Sequence, residues 1–274
     1  MDNLTDLKLT LQQIKEDNYA ISTDYKTTDL IFEMLNHIGN PDPILRDELI
    51  NSILSQWIIN HQITENDLKK VLDTVINDDH LFYKIGESNT NSVFTRSFSV
   101  LIVALVVYSH RKQNLFNEEE IINISKKVTS YFLQETDLRG YVEGNGWAHS
   151  VAHTADAIDE LAMCNEIGYK ELLYFLEIIQ IKVCVGNYVY INKEDERLVT
   201  AVISILNRNL ISSEEVCRWI KSYSQIKGSG NYMNDYYMRI NVKNFLRSFY
   251  FRILDKEELK EISERLRETL IELS

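Results

Sequence analysis

The chain has 274 residues with 41 acidic and 29 basic side chains, a formal net charge of −12 with the histidines neutral. That balance excludes the basic surface a phosphate backbone requires, so nucleic acid is not an expected partner, and it disfavours an anionic membrane surface. With 2 Pro, 9 Gly and 45% hydrophobic residues, the composition predicts long helices, short connections and a sizeable core.

Helical periodicity runs nearly end to end. It predicts helices over 4–18, 28–38, 43–61, 65–77, 92–111, 118–134, 146–164, 169–184, 195–208, 213–223, 234–253 and 256–273. The start, Met1 to Leu4, lacks the basic and apolar regions of a secretion signal, so a cytoplasmic, soluble protein is expected. Asp42-Pro43 supplies a cap and a first-turn proline. The run Phe98 to Tyr108 is uncharged and, apart from Ser99, apolar, but it is shorter than the roughly 20 residues a bilayer needs, so it reads as the centre of a core and not as a membrane span. Asn117 precedes three glutamates that complement a helix dipole, and Gly39 and Gly168 fit C-terminal stops. The cysteines, Cys164, Cys184 and Cys217, are odd in number and form no C-x-x-C, which suits buried thiols in a reducing compartment.

Thr64 to Leu68, Asn117 to Ile121, Ser212 to Val216 and Asp255 to Leu259 resemble one another, each an acidic start to the second helix of a hairpin. The recurrence, at roughly 40–55 residues, is near that of HEAT-like repeats. The expected architecture is therefore a single all-helical domain over 1–274: about six antiparallel helical hairpins in a HEAT-like α-solenoid, with a closed α/α toroid as the alternative. Acidic caps are common on any helix, and that is the competing explanation of the repeat.

Residues 137–164 stand apart. Three of the nine glycines (Gly140, Gly144, Gly146) precede a predicted helix. At about 100° per residue, His149, His153, Asp156 and Glu160 share a sector of roughly 60°. Trp147, Val151, Ile158 and Ala162 fall opposite, toward the core, while Ala148, Ala152 and Ala155 form a small-residue flank. An ordinary solvated face would be rich in Lys and Glu; this one has no Lys and two of the six histidines.

His149, His153 and Asp156 are thus the candidate catalytic residues, expected to line a concave surface. His153 paired with Asp156 would gain a fixed tautomer and greater basicity. No metal is expected, although a divalent ion, if present, would take His149, His153, Asp156 and Glu160. The zincin motif is absent because Ser150 stands where its Glu would be. Arg96, in the first turns of the apolar helix, needs an acid partner, with Glu143, Asp156 and Asp195 the expected choices. If the helices of successive hairpins run in parallel, one edge gathers Arg96, Glu143, Trp147, Asp195 and Arg197 as candidate ligand-binding residues beside helix N-termini suited to an anionic group. Arg247, mid-helix, reads as a surface arginine.

At Gly146-Trp147-Ala148-His149-Ser150-Val151-Ala152-His153-Thr154-Ala155-Asp156 the sequence resembles an uncharacterised bacterial family, mainly Gram-positive and known as a domain of unknown function. Its further segments match Arg96 to Ser99, Asp137 to Gly140, Glu194 to Leu198 and Leu246 to Tyr250. The resemblance covers most of the chain and implies a helical fold but no activity. Lanthionine cyclases share a similar G-W-x-H, yet their zinc cysteines have no counterpart in this motif.

Two functions follow as expectations. The first is a protein, enzyme or binder, that holds a small polar or anionic ligand at a His/Asp/Arg site. The second is an interaction module of α-solenoid type that receives a protein partner. A pocket at the histidines favours the first; a long aromatic groove favours the second.

Overall fold

The structure, a computed structural model, describes residues 3–22 and 26–274. It is helical almost throughout. In chain order it has α1 (Asn3–Glu16), α2 (Thr27–Asn36), a π-helical turn (Ile44–Asn51) running into α3 (Ser52–Ile59), α4 (Glu65–Val75), α5 (Ser92–Gln113) and α6 (Glu118–Gln134). A small hairpin, β1 (Tyr141–Val142) and β2 (Gly146–Trp147), precedes α7 (Ser150–Ala162). Then follow α8 (Tyr169–Val183), α9 (Glu194–Asn207), α10 (Ser213–Ser222), α11 (Tyr232–Ile253) and α12 (Lys260–Glu272). The chain forms two compact units, Met1–Ala157 and Ile158–Ser274, with the division inside α7.

The predicted boundaries hold where a side chain supplies the missing bonds of a helix end. Thr64 caps α4 by accepting from the Asp67 amide. Asn117–Glu120 and Ser212–Glu215 form reciprocal capping boxes at α6 and α10. Asp42 accepts from the Ile44 amide at 2.9 Å, opening the π-helical turn as expected of a cap.

Four local expectations are corrected. The helix predicted over 43–61 is π-helical for its first eight residues. Asp255 caps nothing: a 3₁₀ turn at Glu257–Leu259 intervenes before α12. Gly168 begins α8 as its N-cap and does not end α7. Gly39 lies past the C-cap of α2 and matters for close approach, because a Cβ there would stand 1.9 Å from Thr95 Oγ1.

In the first unit α5 packs against α3 and α4. Val93, Phe94, Val100, Ile102, Val103, Val106 and Val107 on α5 are fully buried. Each such side chain contributes about 1.5–3 kcal/mol of hydrophobic transfer energy. By length and composition α5 is the one helix among the described residues that would pass for a membrane span, but 78% of its apolar window is buried inside the structure, which is consistent with a soluble protein.

In the second unit α11 packs on α8, α9 and α12, and α10 on α12. Phe245 and Phe249 of α11 and Val199, Val202 and Ile205 of α9 are its buried core. Asn241, buried on α11, accepts from the Tyr190 amide and donates to the Val185 and Tyr188 carbonyls, tying the loop before α9 to the helix. None of the three cysteines is in a disulfide among the described residues; Cys164 and Cys217 are buried and Cys184 half-buried.

Candidate functional site around the hairpin and the start of helix α7

The segment predicted to begin a helix at 146 folds first as a hairpin. Tyr141 pairs with Trp147 and Val142 with Gly146. The turn runs through Gly144 (φ +76°) and ends on Gly146 (φ +77°), left-handed positions that favour glycine. At Gly146 there is also no room: a Cβ would lie 2.8 Å from Pro43 Cβ and 3.2 Å from Arg46 Nη2. His149 follows in the left-handed region, φ +48°, and α7 starts one residue later. The His149 amide donates back to the Arg139 carbonyl, and its own carbonyl accepts the first α7 bond, from the His153 amide at 2.9 Å.

This corrects the picture of a single helical stripe from 146. His149 sits at the threshold of the helix, and Trp147, expected on the core side, is 42% exposed because strand β2 turns it outward. Val151, Ile158 and Ala162 are buried as expected, as are Ala148, Ala152 and Ala155. Val142 packs against the cluster of Val93, Phe94 and Ala148, which seats the hairpin on α5.

Two buried arginines hold this platform. Arg46, in the π-helical turn, donates to Asp47 through Nε at 2.8 Å, to the Asn40 carbonyl at 2.7 Å and to the Asn145 carbonyl at 2.6 Å. Its guanidinium lies 4.1 Å over the Phe94 ring and 4.9 Å over Phe98. Asp47 also accepts from the Trp147 amide, so the pair grips both sides of the hairpin turn. Burial pushes the Asp47 carboxyl up and the Arg46 guanidinium down; both partners are desolvated more than their mutual attraction offsets.

Arg96 is fully buried and paired, as its position required, but with Glu135 and not with Glu143, Asp156 or Asp195. The pair is bidentate, Nε to Oε2 at 2.6 Å and Nη2 to Oε1 at 2.9 Å. Nη1 donates to the Tyr83 carbonyl and Ser92 Oγ, and Nη2 to the Glu87 carbonyl. The five guanidinium donors are therefore all engaged inside the fold, and Arg96 has none left to offer a ligand. Burial opposes its charge, but the Glu135 carboxylate outweighs burial and raises its pKa.

Glu135 Oε2 accepts from the Tyr131 hydroxyl as well, and Oε1 from the Asp137 amide. Asp137 in turn accepts from Arg139 Nε and Nη2 and from the Asn89 amide, while Ser150 Oγ donates to its carbonyl. The ionic chain Arg96–Glu135–Asp137–Arg139 thus ends at the first residue of α7.

Above it rings run from solvent to core. Tyr141, 51% exposed, meets Trp147 edge-on at 5.0 Å. Trp147 lies 4.3 Å from His149, and His149 5.7 Å from His153, between ring centroids. His153 is buried and lies 5.2 Å edge-on from Phe98. His153 Nδ1 stands 3.1 Å from the Ser97 carbonyl, which can only accept; the proton therefore belongs on Nδ1, and Nε2 is the basic nitrogen of the neutral ring. Asp156 is half-buried one turn along α7, Glu160 half-buried one turn beyond, and Glu143 exposed in the hairpin turn.

Asp195 and Arg197 lie in the second unit, at the start of α9. Arg197 is exposed. Asp195 is half-buried and lines an open depression of about 370 Å³ with Asn244, Arg247 and Phe251; burial raises its carboxyl pKa. Their neighbour Glu194, the first residue of the acidic stretch Glu194 to Leu198, is fully buried. Its Oε2 accepts from the Asn192 amide at 2.8 Å, its Oε1 has no hydrogen-bond partner among the described residues, and burial raises its pKa.

Sequence reasoning also missed Arg46, Asp47, Glu135 and Tyr141. Arg46 did leave a signal, a lone cation among the periodic apolar residues Leu45, Leu49 and Ile50. Glu135 left none, because its role depends on a partner 39 residues away.

A family model described as "Protein of unknown function (DUF2785)" matches residues 81–251, more than half of the chain. No curated protein and no solved structure matches the chain.

Proposed function

We propose that this chain, which belongs to the DUF2785 family, holds a small polar ligand with a flat or ring-shaped face against Trp147 and His149, with His153 as the proton-accepting group behind them. The observation that carries the reading is the continuous file of rings from exposed Tyr141 and Trp147 to buried His153, whose tautomer the Ser97 carbonyl sets. An exposed tryptophan beside a histidine offers a stacking face and a polar edge together. A non-glycine residue held at positive φ costs stability, and such costs gather where a side chain must be aimed. Asp156 and Glu143 stay in this proposal as flanking polar groups, Asp195 and Arg197 remain candidate ligand-binding residues of the second unit, and Arg96 serves as scaffold. A divalent metal is not required by it.

The wider frame is part of the same proposal: one functional domain built as a HEAT-like array of hairpins, or an α/α toroid, acting in the cytoplasm. An interaction module binding a protein partner is the competing reading.

The test is thermal-shift screening of protein purified without a tag against small polar metabolites, repeated on Trp147→Ala and His149→Ala. Stabilisation by a ring-bearing compound that both variants lose, with their own melting unchanged within a few degrees, supports the site. Hits that persist in both variants would overturn it. Metal analysis of the same protein decides the metal question: stoichiometric zinc or manganese lost in His149→Ala/His153→Ala would replace the metal-free site with a metal centre.

A further inference from the structure

The outward face of α11 carries an arrangement that the ligand site does not use. At about 100° per residue, Tyr232, Tyr236, Arg239, Ile240, Lys243, Arg247 and Phe251 share a sector of about 120°, with Tyr236, Ile240, Arg247 and Phe251 opposite the buried Val242, Phe245, Leu246 and Phe249 and Tyr232, Arg239 and Lys243 on the flank. Tyr232, Tyr236 and Phe251 are 79%, 50% and 71% exposed, and the first two rings are stacked 6.3 Å apart. α11 holds four basic residues, Arg239, Lys243, Arg247 and Arg252, against the single acid Asp235, a local charge of +3. The rest of the chain therefore carries −15, since the whole is −12. Asp235 is engaged by Ser229 at the helix start and lies near Arg239, Glu272 lines a depression with Arg239, and Asp195 and Glu196 approach the stripe at its far end, beside Arg247.

An ordinary solvated helix face intersperses Glu and Lys and exposes few aromatic rings; this one is cationic and aromatic along about 33 Å of helix. We propose that it docks an acidic amphipathic segment of a partner protein, laid along α11 with its carboxylates on Arg239, Lys243 and Arg247 and its apolar side on the rings of Tyr232, Tyr236 and Phe251. Charge complementarity selects this occupant. A second copy offering the same face would bring two +3 helices together. A nucleic acid polyanion would extend past the stripe onto the −15 of the remaining chain, which a short acidic segment confined to α11 does not. A short acidic helix matches the linear i, i+4 spacing of the rings and charges.

The probe is a fluorescein-labelled peptide of twenty residues, Leu at i, i+3, i+4 spacing and Glu elsewhere, read by fluorescence anisotropy with the full chain. Micromolar binding is expected, weakened by salt and about tenfold or more by R239E/R247E, whose exposed positions leave the fold intact. Y232A/Y236A removes the rings without touching charge and should weaken binding while leaving its salt dependence unchanged. No binding of the peptide, or equal binding by both variants, overturns the proposal. So does tighter binding of labelled oligo-dT, or concentration-dependent self-association that Y232A/Y236A abolishes. The stripe belongs to the second unit and the ring file to the first, and they share no residue, so a failed metabolite screen leaves this result unaffected.

Discussion

Replacing Glu135 by Gln removes half of a buried ion pair and leaves the other half in place. Arg96 is fully buried and Glu135 nearly so, and their bidentate contact at 2.6 and 2.9 Å neutralises the guanidinium directly. Breaking a buried pair from one side costs about 3–5 kcal/mol, because the remaining charge stays out of water. Gln keeps the size but offers one acceptor where Arg96, Tyr131 and the Asp137 amide use two. Trp57 is buried in the same unit and donates to the Tyr19 carbonyl, so in a W147F/W219F background its fluorescence reports unfolding there. With a urea dependence of about 2 kcal/mol per molar, the midpoint should fall by about 2 M. The cycle with Arg96→Met sharpens the test. Arg96 also satisfies the Tyr83 and Glu87 carbonyls, so Arg96→Met is itself costly, yet the double variant should lose at least 2 kcal/mol less than the sum of the singles. A midpoint shift below about 0.3 M for Glu135→Gln, or strict additivity in the cycle, would refute the reasoning.

Three further outcomes follow. Gly144→Ala and Gly146→Ala both force a side chain to positive φ, costing about 1 kcal/mol, but only Gly146→Ala also strikes Pro43, so by urea titration it should cost about 1–3 kcal/mol more. Burial raises the Glu194 pKa above its unfolded value of 4.5, so the native state binds its proton more tightly than the unfolded chain and the acid's contribution to stability falls as pH rises past 4.5. Glu194→Gln abolishes that titration; its stability relative to wild type should climb between pH 4 and pH 7, and a flat difference would show that the buried carboxylate is not desolvated. Burial pushes the Cys184 thiol up to about 12, so iodoacetamide at pH 8 should leave Cys184 unmodified in the native protein and alkylate it in urea, as read by mass spectrometry.

Most of the helices were legible because their signals are local. An apolar period of 3.6 and a capping side chain three residues before its partner amide act within one turn, as at Asn117–Glu120 and Ser212–Glu215. The failures came where local and tertiary terms compete. Residues 146–149 continue the apolar period of α7, yet Gly146 and His149 adopt positive φ, because Arg46 and Asp47 seize the Asn145 carbonyl and the Trp147 amide from a distant turn. Periodicity carries no record of a bond spanning 99 residues.

The same competition governs how the candidate site is built. His149 and His153 were singled out as one-turn neighbours on a helix, and they are ring neighbours, but the link is not helical stacking: His149 reaches His153 from a left-handed residue that ends a hairpin. A helical His149 would have carried Trp147 toward the core with it. The hairpin instead places Trp147 outward while Ala148 is buried, so alternate residues of a strand separate the exposed ring from the packing residue. The charge needed to hold that turn is supplied from below by Arg46 and Arg96, both fully buried. That explains why an arginine expected to meet a ligand meets Glu135 instead. In a chain with 41 acidic side chains, a carboxylate already fixed at the end of α6 takes up the guanidinium, and the proposed recognition therefore rests on the ring file above and not on Arg96.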